Sequence, residues 1–321
     1  MNRFLLLIWV VVLSSSGTSA PAQRASFQPV AARDLGLGMP KKPVPVFEPI
    51  WTAEAGVVFL QRSSGHSLAL ADTNSGDDLE TINAADLTLG FQTGPYLSLS
   101  KQMLPRVRGE ILYFGIAGWR SAFSAESTDG ITTELFDTGS VVLDRMDIRY
   151  TSRLNNVELN TRFPLGERLE WLVGVRWTRW TDDVAMDWAG DDEFASVLSD
   201  ARNDLYGMQL GIDGPLWQPA SRFSVAGMAK VCLATNRMST GRDASGTIPS
   251  FLPQRQSASR NSLLGELGLF GKFELTPRFA LNAGYQVMWV DGAASGFSPI
   301  GASNPTSVLF HGLRTTIEAR W

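Results

Sequence analysis

The sequence predicts an all-β fold: a transmembrane, antiparallel, up-and-down β-barrel of about ten strands. Three observations predict it. From Trp51 onward hydrophobicity alternates with period two, mostly in runs of about 12 to 18 residues. Such runs exceed the about 5 to 6 residues of an average globular strand and reach past the about 9 to 11 that a tilted membrane strand needs. The connections between runs alternate between short turns and long polar loops, the arrangement at the two ends of a bacterial barrel. Finally, the chain opens on an export signal.

That signal occupies residues 1–22. Arg3 supplies a positive start, residues 4–13 form a short apolar core, and residues 14–22 are small and polar, with Ala20-Pro21-Ala22 as the cleavage motif. The apolar core is about half the roughly 20 residues of a membrane helix, and no other stretch is longer. Residues 23–50 carry Pro29, Pro40, Pro43, Pro45 and Pro49, with the pair Lys41-Lys42. Prolines at that density do not pair steadily in a sheet, so the segment is predicted to be a periplasmic lead-in. The barrel is then residues 51–321.

Composition agrees with this division. Charged residues make up 19% of the chain, below the about 25% of an ordinary soluble domain. The net charge is −4 and no basic stripe exists, which excludes a nucleic-acid partner. Cys232 is the single cysteine, so no intrachain disulfide forms, and a lone thiol is read as a small packing residue.

The ten runs are 51–62, 85–101, 107–124, 142–162, 168–182, 201–216, 221–236, 260–275, 278–291 and 306–321. Leu87, Leu89, Phe91, Leu97 and Leu99 show the alternation best, with Thr88, Gly90, Gln92 and Ser98 on the other parity. Short turns follow the even runs, such as Leu104-Pro105-Arg106, Phe163-Pro164-Leu165-Gly166 and Thr276-Pro277; long polar loops follow the odd ones. An even count returns both ends of the barrel to the short-turn, periplasmic side. In the fourth run Met146, Ile148, Tyr150 and Leu154 share one parity, and Val157 and Leu159 the other. A β-bulge near Asn155 or Asn156 is the expected cause.

The lipid-facing side is expected to be apolar with aromatic belts. Trp51, Trp171, Phe223, Phe273, Phe279 and Trp321 lie near the periplasmic ends; Phe59, Trp119, Phe123, Trp177, Tyr206 and Trp289 lie near the outer ends. The chain ends in an alternating strand closing on Trp321, like the terminal strands that mark bacterial barrels for the barrel-assembly machinery. The opposite parity is charged, with equal numbers of each sign: Glu54, Arg108, Glu110, Asp147, Arg149, Arg153, Glu158, Arg162, Glu170, Arg176, Lys230, Glu266, Lys272, Glu274, Arg314 and Glu318. Charges away from bulk water need partners, so cross-lumen ion pairs are expected. Arg149, Arg153, Glu158, Asn160, Arg176 and Gln209 are the predicted lumen-lining residues. About 8 strands are just filled by their own side chains and open channels appear at about 16 to 18, so ten strands exclude a wide pore.

Catalytic and metal chemistry find little footing. His66 lies in the first outer loop near Asp72, Asp77 and Asp78, and His311 has lipid-facing parity. Some ten-stranded barrels are proteases using a histidine and carboxylates at the outer rim, but this pairing is only sequential. No Gly-x-Ser-x-Gly elbow or phosphate-binding glycine loop is present. The stretch Asp72 to Asp78 departs from a calcium loop, with Asp77 where glycine is needed and Asn83 where glutamate is. Asp191-Asp192-Glu193 is a second acidic loop tip. No cofactor, metal or catalytic residue is predicted.

Three segments carry a family resemblance: Asn156-Val157-Glu158-Leu159-Asn160, residues 203–211 (NDLYGMQLG), and Gly284-Tyr285-Gln286-Val287-Met288-Trp289, with Gly94-Pro95, Leu97 and Leu99 extending it. Over roughly residues 85–291 the chain resembles the planctomycete β-barrel porin-like outer-membrane proteins. The resemblance implies an outer-membrane barrel and carries over no substrate or binding residue. Two functions are expected: a narrow porin-like channel or structural barrel for small solutes, or a surface binding and adhesion protein acting through its outer loops. An outer-membrane hydrolase, needing His66 and a rim carboxylate, is the third. The expected partners are the outer-membrane bilayer, the barrel-assembly machinery and small solutes.

Overall fold

A computed structural model describes residues 49–63, 69–75, 78–84, 87–133, 141–166, 168–220, 222–247, 253–298 and 306–321. The expected signal peptide, nearly all of the Pro-rich segment, and His66 lie outside the described residues.

The described chain is built from strands: β1 (Trp51–Ser63), β2 (Ala69–Ser75), β3 (Asp78–Asn83), β4 (Leu89–Leu104), β5 (Val107–Thr133), β6 (Val141–Leu165), β7 (Leu169–Ala189), β8 (Phe194–Ala220), β9 (Phe223–Gly246), β10 (Gln254–Thr276), β11 (Phe279–Ala293) and β12 (Thr306–Arg320). Ten of them form one closed antiparallel ring. Each pairs with its neighbour in the order β1, β4, β5 through β12, and β12 returns to β1 from Thr52↔Arg320 to Ser63↔Leu309. Along the turn-end half closure pairs each ring strand on both sides, which is what a sheet needs to stand in hydrocarbon; toward the other end β5 beyond Phe114 and β10 before Leu264 keep one ring partner. The remaining pair, β2 and β3, is a hairpin inside the first long loop, attached to β5 at Asp72↔Thr132 and Thr73↔Ile131.

The two ends of the ring differ. At one end the turns are tight. Arg106 has φ 64° in the β4–β5 turn and Gly166 has φ 69° in the β6–β7 turn, left-handed backbone that a tight reversal demands. Ile50 and Trp51 donate their backbone N–H to the Trp321 carbonyl at 3.0 and 2.9 Å, which fixes both ends of the barrel there. At the other end β5 to β10 run far beyond the roughly 9 to 11 residues a membrane strand needs; β5 and β8 each have 27 residues, whereas β1, β11 and β12 have 13 to 15. The expected long loops are thus largely wall. Between β7 and β8 only residues 190–193 remain as a turn, with Asp191-Asp192-Glu193 at its exposed tip.

Along the turn-end half, exposed apolar residues cover the outside: Leu97, Leu99, Ile111, Leu159, Val175, Leu210, Ile212, Val231, Leu267, Leu269, Leu313 and Ile317. This band makes the barrel a transmembrane one. Along the wall half the distribution reverses. Ile148, Tyr150, Leu154, Trp180, Val184, Met186, Trp188 and Val197 are buried inside, and Arg145, Asp147, Arg149 and Arg153 stand outside.

This reversal corrects the expected bulge at Asn155 or Asn156. Strand β6 pairs with β7 without a break from Arg145↔Ala189 to Leu165↔Leu169. From Met146 to Asn160 the even-numbered residues of β6 face inward. What changes is the chemistry each face carries, because the outside changes from lipid to water. The bulge of this region lies on β5 instead, between Ile116↔Leu154 and Trp119↔Ser152. It places the extra pair Ala117-Gly118 opposite Arg153 and turns Trp119 inward. Trp119 and Phe123 therefore leave the expected aromatic belt: Trp119 is fully buried and donates to the Leu60 carbonyl at 2.8 Å, and Phe123 packs against the same core.

Candidate functional site: the barrel interior

The interior has three layers. The first, at the turn end, is an open vestibule of about 480 Å³ lined by charged and polar side chains. Its charges are mostly matched. Arg162 pairs with Glu110 at 2.9 Å and with Asp213, Arg108 with Glu170, Lys272 with Glu318 at 2.7 Å, and Arg320 with Glu274 at 2.8 Å. Arg314 lies 3.8 Å from the Phe270 ring centre and 4.6 Å from that of Tyr96, and donates to the Tyr96 hydroxyl at 3.2 Å.

The second layer crosses the lumen. Glu158 on β6 accepts from Lys230 Nζ on β9 at 2.9 Å, from Gln209 Nε2 on β8 at 2.8 Å, and from Asn156 and Asn160 at 3.2 Å. Arg176 on β7 stands 3.5 Å from Glu158 and donates to Glu266 on β10 at 2.7 Å and to the Asn156 carbonyl oxygen at 2.6 Å. Two cations and two carboxylates, all buried, thus tie four strands together around a neutral centre, and Gln209 adds a fifth. Removing one partner of such a set leaves an unmatched charge in low dielectric, which is the costly event; the intact set is roughly balanced against desolvation. Cys232 lies buried beside this layer, opposite Gln209.

The third layer seals the barrel toward the wall end. Arg62 and Asp182, both with no exposed side chain, form a two-pronged pair at 2.6 and 3.1 Å. Arg62 also donates to Ser152 Oγ at 2.9 Å and to the Tyr150 hydroxyl, and its guanidinium lies 4.2 Å from the Trp180 ring centre. Asp182 accepts further bonds from Trp180 Nε1 at 2.7 Å, from the Tyr150 hydroxyl at 3.0 Å and from the Gly296 backbone N–H at 3.2 Å. Around this hub sit Leu60, Trp119, Ile148, Leu154, Met186 and Phe310, all buried.

Gly296 belongs to the segment after β11, which folds into the mouth instead of out to solvent. Residues 292–297 are buried. Asn203 donates to the Ala294 carbonyl at 2.7 Å and accepts the Ala294 N–H at 2.8 Å; Asn236 and Ser262 donate to the Gly292 carbonyl at 3.2 and 3.1 Å, and Ser199 to that of Gly296 at 2.5 Å. Phe297 packs on Tyr150 with ring centres 5.3 Å apart. Leu70, Ile82, Ala84 and Leu87 from the first loop add to the seal.

Of the predicted lumen-lining residues, Glu158, Asn160, Arg176 and Gln209 are buried together in the second layer. Arg149 and Arg153 are not. They share the odd, outward parity of β6 and pair on the outer surface, Arg149 with Asp187 at 2.8 Å and Arg153 with Asp183 at 3.8 Å. Asp147, also expected inside, is outside with Arg145 and Ser124. Sequence reasoning missed Arg62 and Asp182. The signal was there for both: Arg62 shares parity with Glu54, Val58 and Leu60, and Asp182 with Glu170 and Arg176. His311 stands on the outer face, its Nδ1 2.6 Å from the Tyr285 hydroxyl and its ring against Phe91.

No family model and no curated protein matches the sequence. Solved structures do resemble it. The outer membrane protease OmpT from Escherichia coli aligns over 84% of this chain and 96% of its own, with a TM-score of 0.50 at 8% identity. The translocator domain of the autotransporter NalP from Neisseria meningitidis aligns over 86% and 90%, with a TM-score of 0.42 at 10% identity. The Pseudomonas putida toluene transporter TodX aligns over 84% and 90%, with a TM-score of 0.28 at 10% identity. At these identities the likeness is one of fold.

Proposed function

We propose that the chain is a bacterial outer-membrane β-barrel with a lumen sealed toward the outside, acting as a structural barrel that displays a rigid outer wall. The carrying observation is the third layer. The Arg62–Asp182 hub, the apolar side chains around it and the inserted segment 292–297 fill the bore where a solute would pass. The lipid-facing band, the short-turn end and the resemblance of residues 85–291 to planctomycete porin-like barrels support the location. The wall of β5 to β10 carries the connections at its rim, such as residues 190–193, away from the turn end, and connections on a rigid scaffold are where binding residues concentrate, which supports a role in surface binding. In this reading the protein is not an enzyme: the described histidine, His311, points away from every interior carboxylate.

One observation favours a second reading, a narrow gated channel for small solutes. The vestibule is charged and open, and above it the inserted segment beyond Ala293 is held by side-chain hydrogen bonds. Conductance in planar bilayers separates the two. The sealed barrel gives little or no current, and large porin-like steps from the intact protein overturn it. Silence from the intact protein with steps from a variant lacking residues 293–297 selects the gated channel.

A further inference from the structure

The outer surface of strands β6 to β10 carries two cavities stacked along the strands. The first, about 760 Å³, is an apolar groove walled by Val157, Val175, Trp177, Tyr206, Met208 and Leu233. The second, about 530 Å³, follows directly toward the wall end and includes Arg202, Asp204 and Arg237. The register explains the change. The row Val157, Trp177, Tyr206, Thr235 is succeeded two residues along by Asn155, Arg179, Asp204, Arg237. Grease and charge therefore meet at one line, as they do at a membrane surface.

We infer that this double groove binds a membrane lipid with an anionic phosphate headgroup. The apolar groove lies in the face that meets hydrocarbon, so an acyl chain is its natural occupant. At its upper end two guanidinium groups hold one carboxylate and a third lies on the neighbouring strand. Arg179 and Arg202 each donate from Nε to Asp204 at 2.6 Å. Arg237 sits directly opposite Asp204 with its guanidinium 6.0 Å from the Tyr206 ring centre, and among the described residues no carboxylate pairs with it. The site thus holds a positive excess and an exposed guanidinium, whose planar donor fork matches a phosphate. The aromatic rings below, Trp177 under Arg179 at 5.0 Å and Tyr206 under Arg237, brace both cations at the interface. A lipid joins an apolar chain to an anionic head at this same line; a free phosphate would leave the groove empty.

The test uses the full-length barrel in a non-ionic detergent, with native mass spectrometry counting what it retains from dioleoyl phosphatidylglycerol, dioleoyl phosphatidylcholine or inorganic phosphate. Phosphatidylglycerol is retained in preference to phosphatidylcholine, and inorganic phosphate is not retained. Arg237→Gln combined with Arg202→Gln removes that preference, a loss of about tenfold, the scale of a charge-assisted hydrogen bond. Met208→Trp fills the groove from a position that is 69% exposed and lowers retention of both lipids. Heat-modifiable gel migration verifies that each variant is folded. Equal retention of the two lipids by the unmodified protein overturns the headgroup assignment. Unchanged retention in both variants overturns the site. Capture of inorganic phosphate alone makes it an anion site, and a lipid-free dimer gives the groove to a second copy; either result overturns the inference.

Discussion

The lower and upper halves of strand β6 obey the same geometry and opposite chemistry. In the lower half Leu159 and Val157 face out and Glu158 and Asn160 face in; in the upper half Arg149 and Arg153 face out and Ile148 and Tyr150 face in. The pairing with β7 runs unbroken between them. The pleat decides only which way a side chain points. What belongs there is decided by the medium outside: against lipid the apolar residues go out and the polar ones pair inside, and against water the strand returns to the rule of a soluble barrel. One closed sheet thus contains a membrane protein and a soluble one, joined without a linker.

Three substitutions break or sharpen that contrast. The largest effect is expected in the upper core. Trp119→Ala empties a fully buried site and costs about 3 to 5 kcal/mol, read as a lower denaturant midpoint for the folded barrel; a neutral result would put Trp119 back on the lipid face. Next is the lipid band. Leu267, 62% exposed, meets hydrocarbon, so Leu267→Arg costs about 2 to 4 kcal/mol and lowers the folded fraction in vesicles. A label at position 267 should also be shielded from water-soluble reagents there, and free reaction would reverse the facing of the whole ring. The smallest is on the upper outer surface. The Arg149 side chain is 69% exposed, and Arg149→Ala should cost about 0 to 1 kcal/mol by the same denaturant titration. A loss matching that at Leu267 would place Arg149 inside.

Much of the fold was legible because a membrane strand is long and alternates strictly. The ten ring strands all appear as periodic runs, and the tight turns at Pro105-Arg106, Gly166 and Pro277 mark their ends. The chemistry of the upper half was hidden because parity alone does not say whether lipid or water lies outside: with lipid outside, Met146, Ile148, Tyr150 and Leu154 imply a bulge and Arg149 and Arg153 imply the lumen. The true bulge, at Ala117-Gly118, is silent in sequence because the apolar odd positions Ile111, Tyr113, Trp119 and Phe123 continue across it without a change of parity. In the interior, Glu158, Asn160, Arg176 and Gln209 followed from parity alone, since their half of the barrel faces lipid. Asp182 shares the inward parity of Glu170 and Arg176, but its pairing was hidden, because its partner Arg62 is 120 residues away and only ring closure brings them together. The insertion of residues 292–297 depends on backbone groups meeting Asn203, Asn236 and Ser199, and small residues such as Ala293, Ala294 and Gly296 carry no pattern that announces it.

The seam between β1 and β12 has a consequence for how the barrel is made. Thr52 pairs with Arg320, so the ring closes between residues that lie at opposite limits of the described chain. Until they meet, an assembling sheet of nine strands or fewer exposes two raw edges of unpaired amides and carbonyls, which hydrocarbon does not tolerate. Entry into the bilayer one strand at a time is therefore uphill until the final pairing, and the largest gain arrives in that single step. The seam acts as a latch: it makes insertion a commitment taken once, and it rejects a chain cut short before Thr306 even if every preceding strand is sound.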